Sequence, residues 1–371
     1  MDVEVMCGVR RRCGAALLLA GLAACGSDSP PTSPVTVPIT PPPPTTYTPL
    51  RTLAQSRTPR VGIGAAAGAL FNTTDAVGTQ YMKVLAQEFD VLTPENEMKF
   101  SSLRPSRAEF RYARADSMVS FAKANGMRVR GHTLAWHSQL SSWLTGGSWT
   151  PAEARTLLDE HITGVATHYK GQLAAWDVVN EAFTDSPVTL RSGFWSDRIG
   201  RGYIEQAFRT AFAADPATPL YYNDYNIEPV NAKSDSVYAL LADLRQRGVP
   251  VHGVGMQMHL IAGSLPSLSS MADNFARFAA LGLKIQITEL DIRLPVPATS
   301  QSLATQAQNY RDVYALCLQQ PACDMVVTWG VTDRSSWVPG TFAGFGDALL
   351  FDTGLQPKLA YIAVNNLLAG K

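Results

Sequence analysis

Charge is scarce in this sequence. Asp, Glu, Lys and Arg make up 17% of its 371 residues, against about 25% in an average soluble domain. The 31 basic and 31 acidic side chains cancel, which leaves no electrostatic footprint for a nucleic acid or an anionic membrane surface. Cysteine is sparse too, with 5 in the chain, and a chain of this length folds without a disulfide or metal framework. Long apolar runs are missing: the stretch at residues 15–24 is about half of what a bilayer-spanning helix needs. These absences exclude a nucleic-acid binder and a polytopic membrane protein. What is plentiful is apolar side chain, at 46%, which excludes a disordered chain and supplies the core of one large barrel.

The N-terminus reads as an address. Arg10, Arg11 and Arg12 precede the short apolar run and small residues follow it, the order of a bacterial export signal. Leu22-Ala23-Ala24-Cys25 resembles a lipobox, in which a peptidase cuts before a cysteine that then carries lipid. The alternative is a plain secretory signal, and both readings export the protein. The expectation is a signal at 1–24 and a cell-surface or periplasmic lipoprotein, otherwise a secreted protein, whose membrane contact is a lipid on Cys25. Met6 is an alternative start, because residues 1–5 add acid where a signal prefers base. Nine prolines fall within residues 30–49, and no charge falls within 29–50. Such Pro/Thr/Ser-rich sequence is extended and semi-rigid, so 25–50 is expected to be a linker holding a domain at 51–371 away from a surface.

With 1–24 removed and Cys25 lipidated, Cys317 and Cys323 remain. Two thiols six positions apart in an exported protein suggest a local disulfide, the alternative being two buried free thiols.

From about residue 50 the chain alternates short β-rich runs with helical patterns. The runs lie at 61–67, 89–95, 128–136, 174–181, 219–226, 253–260, 284–292 and 324–331. Several are apolar on both faces, as in Ile285-Gln286-Ile287 and Met325-Val326-Val327, which suits a parallel sheet covered by helices. Thr150-Pro151-Ala152-Glu153 spells a capping box with proline at the first helical position, and Leu157, Leu158, Ile162, Val165 and Tyr169 follow at helical spacing. Gly126 and Gly248 stand where helices should stop. Eight such βα units predict an α/β fold, the (β/α)8 TIM barrel.

In that fold the active site lies at the C-terminal ends of the strands. Those ends collect polar residues: Glu95, Asn96, Glu97 and Lys99 after the second run, then His132, Trp136, His137 and Gln139 at the third. Asn180 and Glu181 end the fourth, Asn223, Asp224, Tyr225 and Asn226 the fifth, Gln257 and His259 the sixth. Glu289 and Asp291 lie on the seventh and Trp329 on the eighth. Gathering so many polar groups is costly unless they serve one another or a ligand. Two glutamates among tryptophans suit glycoside hydrolysis, in which one carboxyl protonates the leaving oxygen and the other attacks or activates water. Aromatic faces stack on sugar rings, and a low charge fraction fits a neutral polysaccharide. His132 and His137, five apart, share no strand face at period two. No compact ligand cluster results, so neither a metal nor any other cofactor is expected.

The order of these strings resembles glycoside hydrolase family 10, the retaining endo-β-1,4-xylanases, over residues 50–371. They are Thr93-Pro94-Glu95-Asn96-Glu97-Met98-Lys99, Gly131-His132-Thr133-Leu134-Ala135-Trp136-His137, Trp176-Asp177-Val178-Val179-Asn180-Glu181, Tyr222-Asn223-Asp224-Tyr225-Asn226 and Ile287-Thr288-Glu289-Leu290-Asp291, with Trp329-Gly330-Val331 and Trp337. One departure is Phe100, where the family more often has tryptophan.

The resemblance implies Glu181 as acid/base and Glu289 as nucleophile, with His259 bonded to the nucleophile and oriented by Asp291. It implies Asn180 at the 2-hydroxyl of the sugar being cleaved, and Glu95, Asn96 and Lys99 on the non-reducing side with His132, Trp136 and Gln139. Gln257, Trp329 and Trp337 would close the cleft, and Tyr225 would face the leaving group. The Cys317–Cys323 pair resembles the family's disulfide before the last strand. The expected partners are xylan and xylo-oligosaccharides, and the expected state is a monomer. A cellulase or mixed xylanase/cellulase would use the same carboxylates. A non-catalytic xylan-binding protein would share the aromatics but has no reason to keep both glutamates.

Overall fold

The computed structural model describes residues 47–58, 60–68 and 76–371. The expected signal at 1–24, Cys25 and the linker as far as residue 46 lie outside the described residues. Eight strands form the barrel: β1 Gly62–Ala66, β2 Val91–Thr93, β3 Arg128–Ala135, β4 Ala175–Asn180, β5 Leu220–Asp224, β6 Gly253–Met256, β7 Lys284–Pro295 and β8 Cys323–Thr328. Each pairs in parallel with the next, and β8 returns to β1 with Val327 opposite Gly64. The expected (β/α)8 barrel is what forms. Its strands are covered by helices outside and side chains inside, so β4, β5 and β6 are buried along their whole length. That two-sided burial explains why the sequence shows apolar runs rather than alternation.

Local signals place the helices. The helix Pro151–His168 starts at Thr150, whose side chain accepts from the Glu153 amide while Glu153 reaches back to the Thr150 amide. Its Leu157, Leu158, Ile162 and Val165 are buried. The helices Ala113–Ala124 and Ala232–Gln246 end just before Gly126 and Gly248, whose φ of 62° and 66° is the left-handed turn that glycine adopts without strain. At the start of the described chain, Tyr47 packs edge-on against Tyr361, Thr48 accepts from the Asn365 side chain, and the Leu50 amide donates to Glu88. The last residues of the expected linker therefore dock on the barrel. Cys317 and Cys323 are joined, tying the helix Ser300–Gln319 to the first residue of β8.

Two differences from the expected strands matter for the site. The run at 253–260 breaks after Met256, because Met258 takes a φ of 61° while its amide donates to Glu228 at 2.9 Å. The chain restarts as a short strand, His259–Ile261, which pairs with β7 and sets His259 opposite Asp291. The other difference is that β7 runs to Pro295 rather than 292. That short strand and the antiparallel segment Phe345–Gly346 both pair with its outer end.

The barrel axis is filled by a ladder of polar groups. From the bottom upward Asp324 accepts from Gln286, Gln286 accepts from Arg130, and Arg130 grips Asp177 with both ends of its guanidinium. Asp177 in turn holds His132 Nδ1 at 3.0 Å. A buried charge pair of this kind costs about 3–5 kcal/mol when one partner is removed.

Candidate active site

Every catalytic and sugar-contacting residue picked from the sequence lines one cleft of about 580 Å³ at the C-terminal mouth of the barrel. Asp291 sits behind it, reaching the cleft through His259. The two glutamates come from the ends of β4 and β7. Glu181 is the first residue beyond β4 and takes a φ of 55°. Its Oε2 accepts from Trp136 Nε1 at 2.9 Å, and its Oε1 accepts from Gln257 at 3.0 Å and Asn180 at 3.3 Å. Its backbone carbonyl is held by Arg191 Nε at 3.0 Å; the same guanidinium also binds the Phe183 carbonyl and, at 2.7 Å, the Tyr225 hydroxyl. Tyr225 lies flat under Lys233, whose Nζ is 3.6 Å from the ring centre. One loop arginine thus ties the backbone of Glu181 to the aromatic beside it.

Glu289 is held from two sides. Asn223 donates to its Oε1 at 2.7 Å, and His259 Nε2 lies 3.3 Å from its Oε2. Asn223 also donates to the Asn180 side chain at 2.9 Å and accepts from Thr288 at 2.7 Å. The amides of Asn223 and Asn180 therefore bridge the two carboxylates. Asn223 has room because the residue beside it on β6 is Gly255, where a Cβ would overlap the Asn223 amide. On the far side of His259, Nδ1 meets Asp291 Oδ2 at 2.9 Å, and Trp337 Nε1 donates to the same oxygen at 2.7 Å.

These contacts set the charges. Burial alone would lower the His259 pKa, but Asp291 and Glu289 outweigh it and push it up to about 10. Burial would likewise raise Glu289, yet the His259 hydrogen bond and the positive potential of His132 and His259 hold its carboxyl below the usual range. Burial raises Glu95 and lowers Lys99, against their mutual attraction. Lys99 donates to Asn96, Gln139 donates to the same Asn96 oxygen, and the ammonium sits 5.0 Å from the Trp136 ring and 5.9 Å from Trp329. Trp329 stands edge-on to His132 at 5.3 Å, and Trp337 to His259 at 4.9 Å. Among the described residues no group of three or more His, Cys, Asp or Glu side chains is arranged to hold a metal. His132 is committed to Asp177, while His137 lies beside Glu181 at 3.9 Å.

Asn226, at the end of the fifth strand, lines the cleft as well, and three further lining residues are not singled out by the sequence: Arg293, Thr341 and Phe342. Arg293 had a signal, since Glu289, Asp291 and Arg293 share one strand face at period two. Phe342 and the loop residue Arg191 had none, because neither belongs to a periodic segment. Phe100, where the family more often has tryptophan, packs on the buried His161 at 4.2 Å, behind Lys99.

A barrel that presents two carboxylates to a cleft lined by indoles and amides belongs to the glycoside hydrolases. Residues 50–367 match the model of glycosyl hydrolase family 10, and the chain is a member of that family. It is 44% identical over 325 residues to endo-1,4-beta-xylanase B of Thermotoga neapolitana, spanning 87% of this chain and 92% of that enzyme. The crystal structure of xylanase 10B from Thermotoga maritima superposes with a TM-score of 0.84 at 44% identity, covering 87% of this chain and 98% of that one. Xylanase 10B from Thermotoga petrophila, solved in complex with xylobiose, gives a TM-score of 0.84 at 43% identity, covering 88% and 98%.

Proposed function

We propose that the chain hydrolyses internal β-1,4-xylosidic bonds of xylan by double displacement, with Glu289 as nucleophile and Glu181 as acid and then base. The observation that carries this reading is the pairing of unlike carboxyls in one cleft. Glu289 is held below the usual carboxyl range by His259 and His132, while Glu181 accepts its hydrogen bonds from the neutral side chains of Trp136, Gln257 and Asn180. In the first step Glu289 attacks the anomeric carbon, and the glycosidic oxygen leaves with the bonding pair and the Glu181 proton. In the second, Glu181 takes a proton from water, the water oxygen attacks the same carbon, and Glu289 is released as carboxylate. Asn180 then serves the 2-hydroxyl of the reacting sugar. Glu95, Asn96, Lys99, His132, Trp136 and Gln139 hold the non-reducing side, Gln257, Trp329 and Trp337 close over the reacting ring, and Tyr225 takes the leaving group.

Sugar release from xylan should far exceed release from carboxymethylcellulose, and NMR of the first products should show β-anomers. Equal rates on the two polymers would favour a mixed enzyme, and no release would favour a binding protein. Initial α-anomer would remove Glu289 from its role.

The pH profile follows from the same contacts. Glu289 reacts as carboxylate and its pKa is depressed, so kcat/KM persists below the ordinary glutamate value of about 4.3 and falls only at lower pH. His259, at about 10, stays positive throughout the working range. His259→Asn removes that charge and its hydrogen bond and raises Glu289, so the acid limb should move to higher pH. An unmoved limb would separate His259 from the ionisation of Glu289.

We also infer export and a lipid anchor at Cys25, supported by the Arg-rich start, the short apolar run and the Leu-Ala-Ala-Cys string. Cys25→Ala should move the enzyme out of the membrane fraction at unchanged specific activity. Retention of the variant in that fraction would refute the anchor.

A further inference from the structure

Arg293 is an unpaired cation in a cleft whose other cations are engaged. His259 lies between Asp291 and Glu289, and Lys99 bonds Asn96 within the field of Glu95, Glu181 and Glu289. The Arg293 guanidinium lies 3.9 Å from the centre of the Phe342 ring and 5.7 Å from that of Phe345. Its Nε is buried without a hydrogen-bond partner. Among the described residues no carboxylate pairs with it. Asp291, two positions back on the same strand face, has its Oδ2 taken by His259 and Trp337 and leaves Oδ1 unbonded. Burial lowers the Arg293 pKa, with Asp291 acting in the opposite sense.

A guanidinium stacked through its face keeps its in-plane N–H fork unused. That fork matches a carboxylate in two-pronged geometry, which neutral sugar hydroxyls do not. Its position is fixed from both sides. Arg293 lies opposite Ile261 in the short parallel strand, and the next residue, Leu294, lies opposite Gly346. Along β7 it is four residues beyond Glu289, roughly 13 Å of strand, a distance of one to a few sugar units. A carboxylate there belongs to a branch next to the bond being cut, not to the bond itself.

Resting on the xylanase reading above, we propose that Arg293, presented by Phe342, is a recognition site for the carboxylate of a uronic-acid branch on xylan. The chain then favours glucuronoxylan over the same polymer without charge.

The test compares kcat/KM on glucuronoxylan with kcat/KM on the same polymer after reduction of its uronic acids to neutral sugars. For the wild type the ratio should be about 10, the scale of a partly exposed charge-assisted hydrogen bond, and it should fall with added salt. Arg293→Met should bring the ratio close to 1. Arg293→Lys, which keeps the charge but not the fork, should fall between. A wild-type ratio near 1 overturns the proposal without any variant, and so does a ratio that survives both substitutions. Release of no sugar from either polymer would remove the xylanase reading and this proposal together, an outcome distinct from equal activity on both.

Discussion

Glu289→Ala should lose on the order of 10⁵–10⁶ in turnover, the scale seen when the nucleophile of a cooperating set is removed. The loss should be the same on xylan and on an aryl xylobioside with an activated leaving group. The reason is that attack on the anomeric carbon is required whatever departs, so a better leaving group cannot substitute for it. The fold should survive. Glu289 is buried, and its removal leaves His259 paired with Asp291 and Asn223 still bonded to Asn180 and Thr288. What is lost is one acceptor for Asn223 and one for His259, about 1–3 kcal/mol for each donor left unsatisfied. For a barrel of this size that amounts to a fall of several degrees in Tm, measurable by calorimetry beside the activity. Activity within about 100-fold of wild type, with Tm little changed, would take the nucleophile's role away from Glu289.

The barrel was legible because its strands are buried on both faces and its helix ends carry their own chemistry. Runs such as Met325-Val326-Val327 and the box at Thr150 and Glu153 report local physics that the tertiary structure does not override. The cleft was legible for a different reason: strand ends are fixed by topology, so polar residues there converge without being neighbours in sequence. Where the reading stopped, a contact from elsewhere in the chain decides the matter. Met258 turns left-handed because Glu228, thirty residues earlier, takes its amide. No pattern within 253–260 announces that, yet it is what aims His259 at Asp291. Arg191 lies ten residues after Glu181 in an aperiodic loop, and only folding brings its guanidinium to the Glu181 carbonyl and the Tyr225 hydroxyl. Asn223 was visible at a strand end, but its link between Asn180 and Glu289 depends on Gly255 in the next strand leaving it space.

Glu181→Ala should fail in a different way from Glu289→Ala, and the difference separates the two roles. Xylan has a poorly leaving sugar alkoxide, so losing the acid should cost about 10²–10⁴-fold, the usual worth of general acid–base catalysis. A phenol of low pKa departs without a proton. With such an aryl xylobioside Glu289 still attacks, and the covalent glycosyl-enzyme still forms at a rate close to that of the wild type. The second step then stalls, because Glu181 is also the base that deprotonates the incoming water, so a burst of phenol equal to the enzyme concentration should be followed by slow turnover. Azide is an anion and needs no base. Added azide should restore turnover of the aryl substrate and give the β-xylobiosyl azide, since it attacks the face that Glu181 occupied in the wild type. Truncation makes the space for it: the carboxyl that accepts from Trp136, Gln257 and Asn180 is gone, leaving three N–H donors aimed at the vacated position. Equal impairment on xylan and the aryl substrate, or azide rescue of Glu289→Ala to a β-azide, would show that the two roles are assigned the wrong way round.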